Sequence, residues 1–128
     1  MGAWGVHFDQ NDGTLDFLGD VEENREWSDV RHFVRDYVDN GGYDDAAEAV
    51  GALELVAAAL GRPSPRLKPA LRDWAAGHAA EAAGDRAPAL AAVELVYDAS
   101  ELSELWAEAD EGEDWAATIA DLRERLGA

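Results

Sequence analysis

At 128 residues and without a cysteine, the chain has the size of one domain. It can bury a core without disulfides, and thiolate zinc and cysteine nucleophiles are excluded. Its 28 acidic against 10 basic residues give a net charge of −18, which repels nucleic acid phosphates and anionic lipid and suits a basic protein as partner. No stretch approaches the roughly 20 apolar residues of a membrane span, and no basic segment leads into an apolar run. The expectation is a soluble, cytoplasmic protein that needs no cofactor.

Residues 1–11 read as an irregular lead, rich in glycine and aromatics, with Trp4 and Phe8 pinning it to the body. Asn11 or Asp12 then caps a helix to about Glu23, with Leu15, Leu18 and Val21 inward and Asp12, Asp16 and Asp20 on another face. A second helix, Ser28 to about Asp39, carries Val30, Phe33, Val34, Tyr37 and Val38 at helical spacing and stops at Asn40-Gly41-Gly42.

From Asp44 to Gly61 the pattern is apolar nearly all the way round, with Glu48 and Glu54 the only charges past the first turn. Asp44 or Asp45 is the expected N-cap, and Gly61 followed by Pro63 the stop. A helix apolar on every side must be surrounded by others. A fourth helix is expected from about Leu67 to Ala83, with Leu67, Leu71, Trp74 and His78 on one stripe. Gly84-Asp85 reads as a break, after which Asp85 or Ala87 starts a fifth helix with Leu90, Val93, Val96 and Tyr97 inward.

Ser100 caps a sixth helix with Leu102, Leu105 and Trp106 inward; Ser103 stands where a capping box has Glu or Gln, so a simple cap is expected. The turn at Asp110-Glu111-Gly112-Glu113 precedes a last helix carrying Trp115, Ile119, Leu122 and Leu126. Glu54-Leu55-Val56 recurs as Glu94-Leu95-Val96, and Asp73-Trp74-Ala75-Ala76 as Asp114-Trp115-Ala116-Ala117, an echo compatible with two related helical units. No run of alternating β-branched residues competes. The fold expected is all-α, a compact single-domain bundle of six or seven helices around the central apolar one.

Met1-Gly2-Ala3-Trp4-Gly5, Phe8-Asp9-Gln10-Asn11-Asp12 and Leu15-Asp16-Phe17-Leu18 at one end resemble a known family. So do Ser100-Glu101-Leu102-Ser103-Glu104-Leu105-Trp106, Trp115, Leu122 and Leu126 toward the other. The family is the bacterial domain-of-unknown-function family numbered 4259, and the resemblance spans essentially the whole chain. It implies a bacterial protein and brings no established activity.

The residues that remain for function are acids and aromatics. Trp4 and Trp27, at element edges, are candidate interface anchors, since tryptophan carries binding hot spots. Asp9, Asp12, Asp16 and Asp20 are the candidate charged surface, the last three spaced by four along one helical face. A second reading gives Asp9, Asp12 and Asp16 a metal-assisted hydrolase role. A calcium loop does not fit, because Gly13 falls one residue early and Asp20 stands at the twelfth position. His7, His32 and His78 lie far apart; His32 has Asp29 and Asp36 a turn away on either side, and His78 belongs to the Trp74 stripe. No nucleophile elbow, phosphate loop or paired metal signature is present. These features favour a non-catalytic interaction protein, for instance an immunity or inhibitor protein for a basic partner.

Overall fold

The structure, a computed structural model, describes residues 5–127. A 3-10 turn, Phe8–Gln10, precedes α1 (Asp12–Asn24), α2 (Trp27–Asp39), α3 (Ala46–Ala59), α4 (Pro69–Ala76), α5 (Ala79–Ala99), α6 (Glu101–Glu108) and α7 (Gly112–Arg125). Among the described residues there is no strand, and the lead expected to be irregular contains that 3-10 turn.

Helix α3 lies at the centre. Thirteen of its residues are buried, Glu54 included. Leu53 and Leu55 are fully enclosed and Val56 nearly so; at about 1.5–3 kcal/mol for each large side chain taken from water, this helix gives the core much of its stabilisation. α1, α2, α4 and α5 pack around it. Its alanines and Gly51 let neighbours approach: a Cβ at Gly51 would lie 3.3 Å from both Thr14 and Phe17 of α1. The same crossing buries Thr14, whose hydroxyl donates to the Ala47 carbonyl at 2.6 Å.

The ends of α3 show how local sequence sets its length. Gly61 adopts φ +91°, and the Gly61 and Arg62 amides donate back to Ala58 and Ala57, closing the C-terminus where glycine tolerates a left-handed backbone. At the start, Asp45 holds the N-cap position at φ 63°, but its side chain makes no cap hydrogen bond. The capping expected there is absent. Asn11, by contrast, accepts from the Gly13 and Thr14 amides, as expected of an N-cap.

Several expectations are corrected. The fourth helix ends at Ala76, and the chain turns at Gly77-His78, not at Gly84-Asp85. α5 runs unbroken through Gly84, Asp85 and Pro88. Pro88 offers no N–H to the carbonyl four residues back; that residue is Gly84, which is exposed, so water can satisfy the oxygen. Leu15 and Tyr97 point outward, at 40% and 42% exposure. The α6 cap is a reciprocal box: the Ser103 amide donates to the Ser100 hydroxyl at 3.1 Å, and the Ser100 amide donates to the Ser103 hydroxyl at 3.2 Å. Ser103 thus does the work of the usual glutamate. The two halves of the sequence echo fall on α3–α4 and α5–α7, with α6 interposed only in the second.

Candidate functional site

The acidic face of α1 is where the sequence places it. Asp12, Asp16 and Asp20 are exposed along one side, beside the exposed Leu15, and enter no ion pair among the described residues. Asp9 departs from them: its carboxylate accepts from Nε of Arg66 at 2.8 Å. Among the described residues no three His, Asp or Glu side chains converge as a metal-binding group, so Asp9, Asp12 and Asp16 do not form the cluster that a metal-assisted hydrolase requires.

Of the two tryptophans expected at an interface, Trp4 lies outside the described residues. Trp27 is 4% exposed and faces inward. Its indole N–H donates to Oδ2 of Asp85 at 2.9 Å, and its ring stacks on His78 at 5.3 Å. An element edge in sequence became core in space because α5 brings a buried acceptor to it. His78 also meets Trp74 at 4.8 Å and bonds Glu81 through Nδ1 at 2.9 Å, so it belongs to this aromatic cluster. His32 is exposed. Among the described residues neither Asp29 nor Asp36 bonds its ring, and nothing orients it as a base.

Two buried carboxylates gather cations. Asp85 receives Trp27, Nε of Arg31 at 2.8 Å and Nη2 of Arg35 at 3.4 Å. Burial alone would raise its pKa, yet the hydrogen bonds from Arg31 and Trp27 and the Arg31 charge hold it below the ordinary aspartate value. Glu54 in α3 takes a two-pronged contact from Arg125 of α7, at 2.9 and 3.0 Å, while Nε of Arg125 donates to Asp121 at 2.8 Å. Burial pushes Glu54 above the ordinary glutamate value, and the Arg125 contact opposes that without cancelling it. Burial raises Glu48 in the same direction.

The remaining cations are engaged as well. Lys68 pairs with Glu22, Arg72 with Asp73 and Arg123 with Glu94. Arg25, Arg62 and Arg86 donate to the carbonyls of Glu22, Glu124 and Leu126 respectively. All ten basic side chains therefore have a partner within the chain. Acids outnumber them 28 to 10, so the outward field is acidic. An exposed pair contributes only about 0–1 kcal/mol, too little to offset repulsion among the acids left over.

An apolar cavity of about 320 Å³ lies under residues 5–8, between α1, the turn at Ser64, α6 and α7, with Trp106, Trp115 and Ile119 on its walls. The acids and arginines on its lining are paired: Glu54 and Asp121 with Arg125, and Arg66 with Asp9 beside it. It is shaped for an apolar group, and among the described residues His7 is the titratable side chain on its wall that stands outside these pairs.

These observations set a pH and salt response. The raised pKa values of Glu48 and Glu54 give stability that is complete below the unfolded value of 4.5 and lost as pH rises through the folded values. Asp85 has the opposite sign: its contribution is present above 3.8 and lost as pH falls through its depressed folded value. The melting temperature is expected to rise as pH falls from about 7.5 to about 5, and to drop again below about 4. It is also expected to rise with NaCl up to about 0.5 M, as screening relieves repulsion over about 8–10 Å at physiological salt. Scanning calorimetry across both series checks this. A melting temperature flat or falling in both would show that the internal pairs, not the unpaired acids, set the electrostatic balance.

No helix among the described residues is long and apolar enough to cross a membrane. A family model described as a domain of unknown function, DUF4259, matches residues 2–118. No curated protein and no solved structure matches the chain.

Proposed function

The chain belongs to the DUF4259 family, a domain of unknown function, and from its own surface we propose that it is a non-catalytic interaction protein for a basic protein, in the manner of an immunity or inhibitor protein. One observation carries this reading: every basic side chain is engaged within the chain, while among the described residues the α1 face of Asp12, Asp16 and Asp20 has no ion-pair partner. Such a face speeds the encounter with a cationic partner and discriminates against anionic ones. Leu15, exposed among these acids, supplies an apolar contact at the same place. Placement in a reducing cytoplasm belongs to the same proposal, since no cysteine calls for an oxidising compartment.

The test is capture of partners from the producing cell on immobilised protein, at low salt and again at about 0.5 M NaCl, where screening is strong. The reading expects specifically retained proteins that are basic, that leave at high salt, and that are lost when Asp12, Asp16 and Asp20 are together changed to Asn. Retained partners that are all acidic, the absence of any, or retention indifferent to salt and to the triple change would overturn it.

A further inference from the structure

A second feature of the acidic surface lies where α2 ends and α3 begins. A hollow of about 370 Å³ is walled there by the rings of Phe33, Tyr37 and Tyr43 and by the carboxylates of Asp36, Asp44 and Asp45. None of these three acids enters an ion pair among the described residues. Tyr37 is 4% exposed, and its hydroxyl, closed off from solvent, has no hydrogen-bond partner among the described residues. A buried hydroxyl without a partner costs about 1–3 kcal/mol of lost solvation, and such groups in folded proteins call for an explanation. Burial, followed by the charges of Glu101 and Asp45, pushes the phenol pKa up, which keeps the group neutral and places its oxygen in the field of an acid that also lines the hollow.

The walls are held in place. Gly42, at φ +74°, packs so closely that a Cβ there would lie 2.9 Å from both Tyr37 and Leu95. The Tyr43 hydroxyl donates to Glu104, and the Tyr43 carbonyl accepts from the Glu101 amide at 3.2 Å, fixing this residue to α6. Tyr43 is nevertheless 50% exposed, so its ring is offered to whatever enters. On the other side Phe33 meets Phe17 of α1 at 5.0 Å, which joins the hollow to the helix bearing the acidic face.

We propose that this hollow receives the guanidinium of an arginine side chain from the basic partner. Three carboxylates neutralise the charge and accept its N–H groups, and the exposed Tyr43 ring offers a face on which the planar cation stacks. A lysine ammonium matches the charge but neither the stacking nor the fork of donors. The inference rests on the proposed basic partner and adds the residue class it inserts.

The experiment is a titration of ¹⁵N-labelled protein with Nα-acetyl-argininamide at low salt, followed by NMR, with Nα-acetyl-lysinamide and a nonaarginine peptide as parallel ligands. Expected are saturable shifts centred on Phe33, Tyr37, Gly42 and Tyr43, with the lysine compound clearly weaker. Asp44→Asn with Asp45→Asn should weaken binding by about tenfold, as the loss of two short charge contacts predicts. Asn tolerates the left-handed backbone of position 45, so this variant keeps the fold. Asp12→Asn with Asp16→Asn should leave the arginine compound's affinity, measured at about 0.15 M NaCl, within about twofold, since these charges lie outside the hollow and are screened at that salt.

Shifts centred elsewhere, equal binding of the lysine compound, or indifference to the Asp44 and Asp45 changes would overturn the proposal. If nonaarginine binds with salt sensitivity but its shifts fall on α1, the hollow is overturned and the basic-partner reading stands. If nonaarginine does not bind at all, both fall.

Discussion

Replacing Leu53 by Ala is expected to destabilise the fold by roughly 2–5 kcal/mol, the range for a buried leucine whose surroundings relax only in part. Leu53 is fully enclosed. Helices on several sides of α3 limit collapse into the space left behind, because each is held against other neighbours as well. Chemical denaturation monitored by tryptophan fluorescence measures the loss. A value under about 1 kcal/mol, below the usual span for such a site, would mean that the surroundings of Leu53 close up freely and that α3 does not organise its neighbours.

Removing Arg125 is expected to do comparable damage by a different route. Arg125→Met should cost about 3–5 kcal/mol, because it leaves the Glu54 carboxylate buried in α3 without its counter-charge. The Glu54 and Arg125 side chains are only 5% and 16% exposed, so solvent cannot substitute for the lost partner. Two features separate this from a simple loss of packing. The variant should regain stability as pH falls from about 7 toward 5, since Glu54, already raised by burial, takes up a proton more readily once the guanidinium is gone. The double change Glu54→Leu with Arg125→Met should be less destabilising than Arg125→Met alone, because neither charge is then buried unpaired. Equal losses in the single and double variants, with no pH response, would show that Arg125 acts through its hydrocarbon stem.

The central helix was legible because its signals are local. An apolar run, Gly61 and Pro63 specify its burial and its C-terminal end without reference to the rest of the chain. Helices α1 and α2 were equally plain from their spacing. What the sequence concealed depended on partners far along the chain. Gly84-Asp85 reads as a break, but Asp85 is held inside α5 by Trp27, Arg31 and Arg35, 50 to 58 residues earlier. Trp27 looked like an exposed anchor for the same reason. Leu15, expected inward, points outward, and Thr14 lies inside because its hydroxyl found an acceptor in Ala47 of α3, a contact that no helical period encodes.

The candidate site was legible to a similar degree. Spacing alone put Asp12, Asp16 and Asp20 on one exposed face. Spacing could not show that Asp9 turns away to Arg66, because that pairing joins the lead to the turn before α4. Nor could it show the hollow at Tyr37, which exists because Gly42 takes a positive φ and folds the start of α3 back over the end of α2. Composition gave the sign of the surface charge. Only the geometry shows that the basic residues are turned to internal partners.

Native-state amide hydrogen exchange tests most directly the claim that α3 organises the fold. Helix α3 is buried on all sides and packed by α1, α2, α4 and α5, so the amides from Val50 to Ala58 have no local opening available that leaves the rest intact. They are expected to exchange only through global unfolding, with a free energy of opening equal to that from denaturation, and slower than any amide in α6. Exchange of these amides through a local opening of lower free energy, or protection in α3 no greater than in α6, would contradict the account.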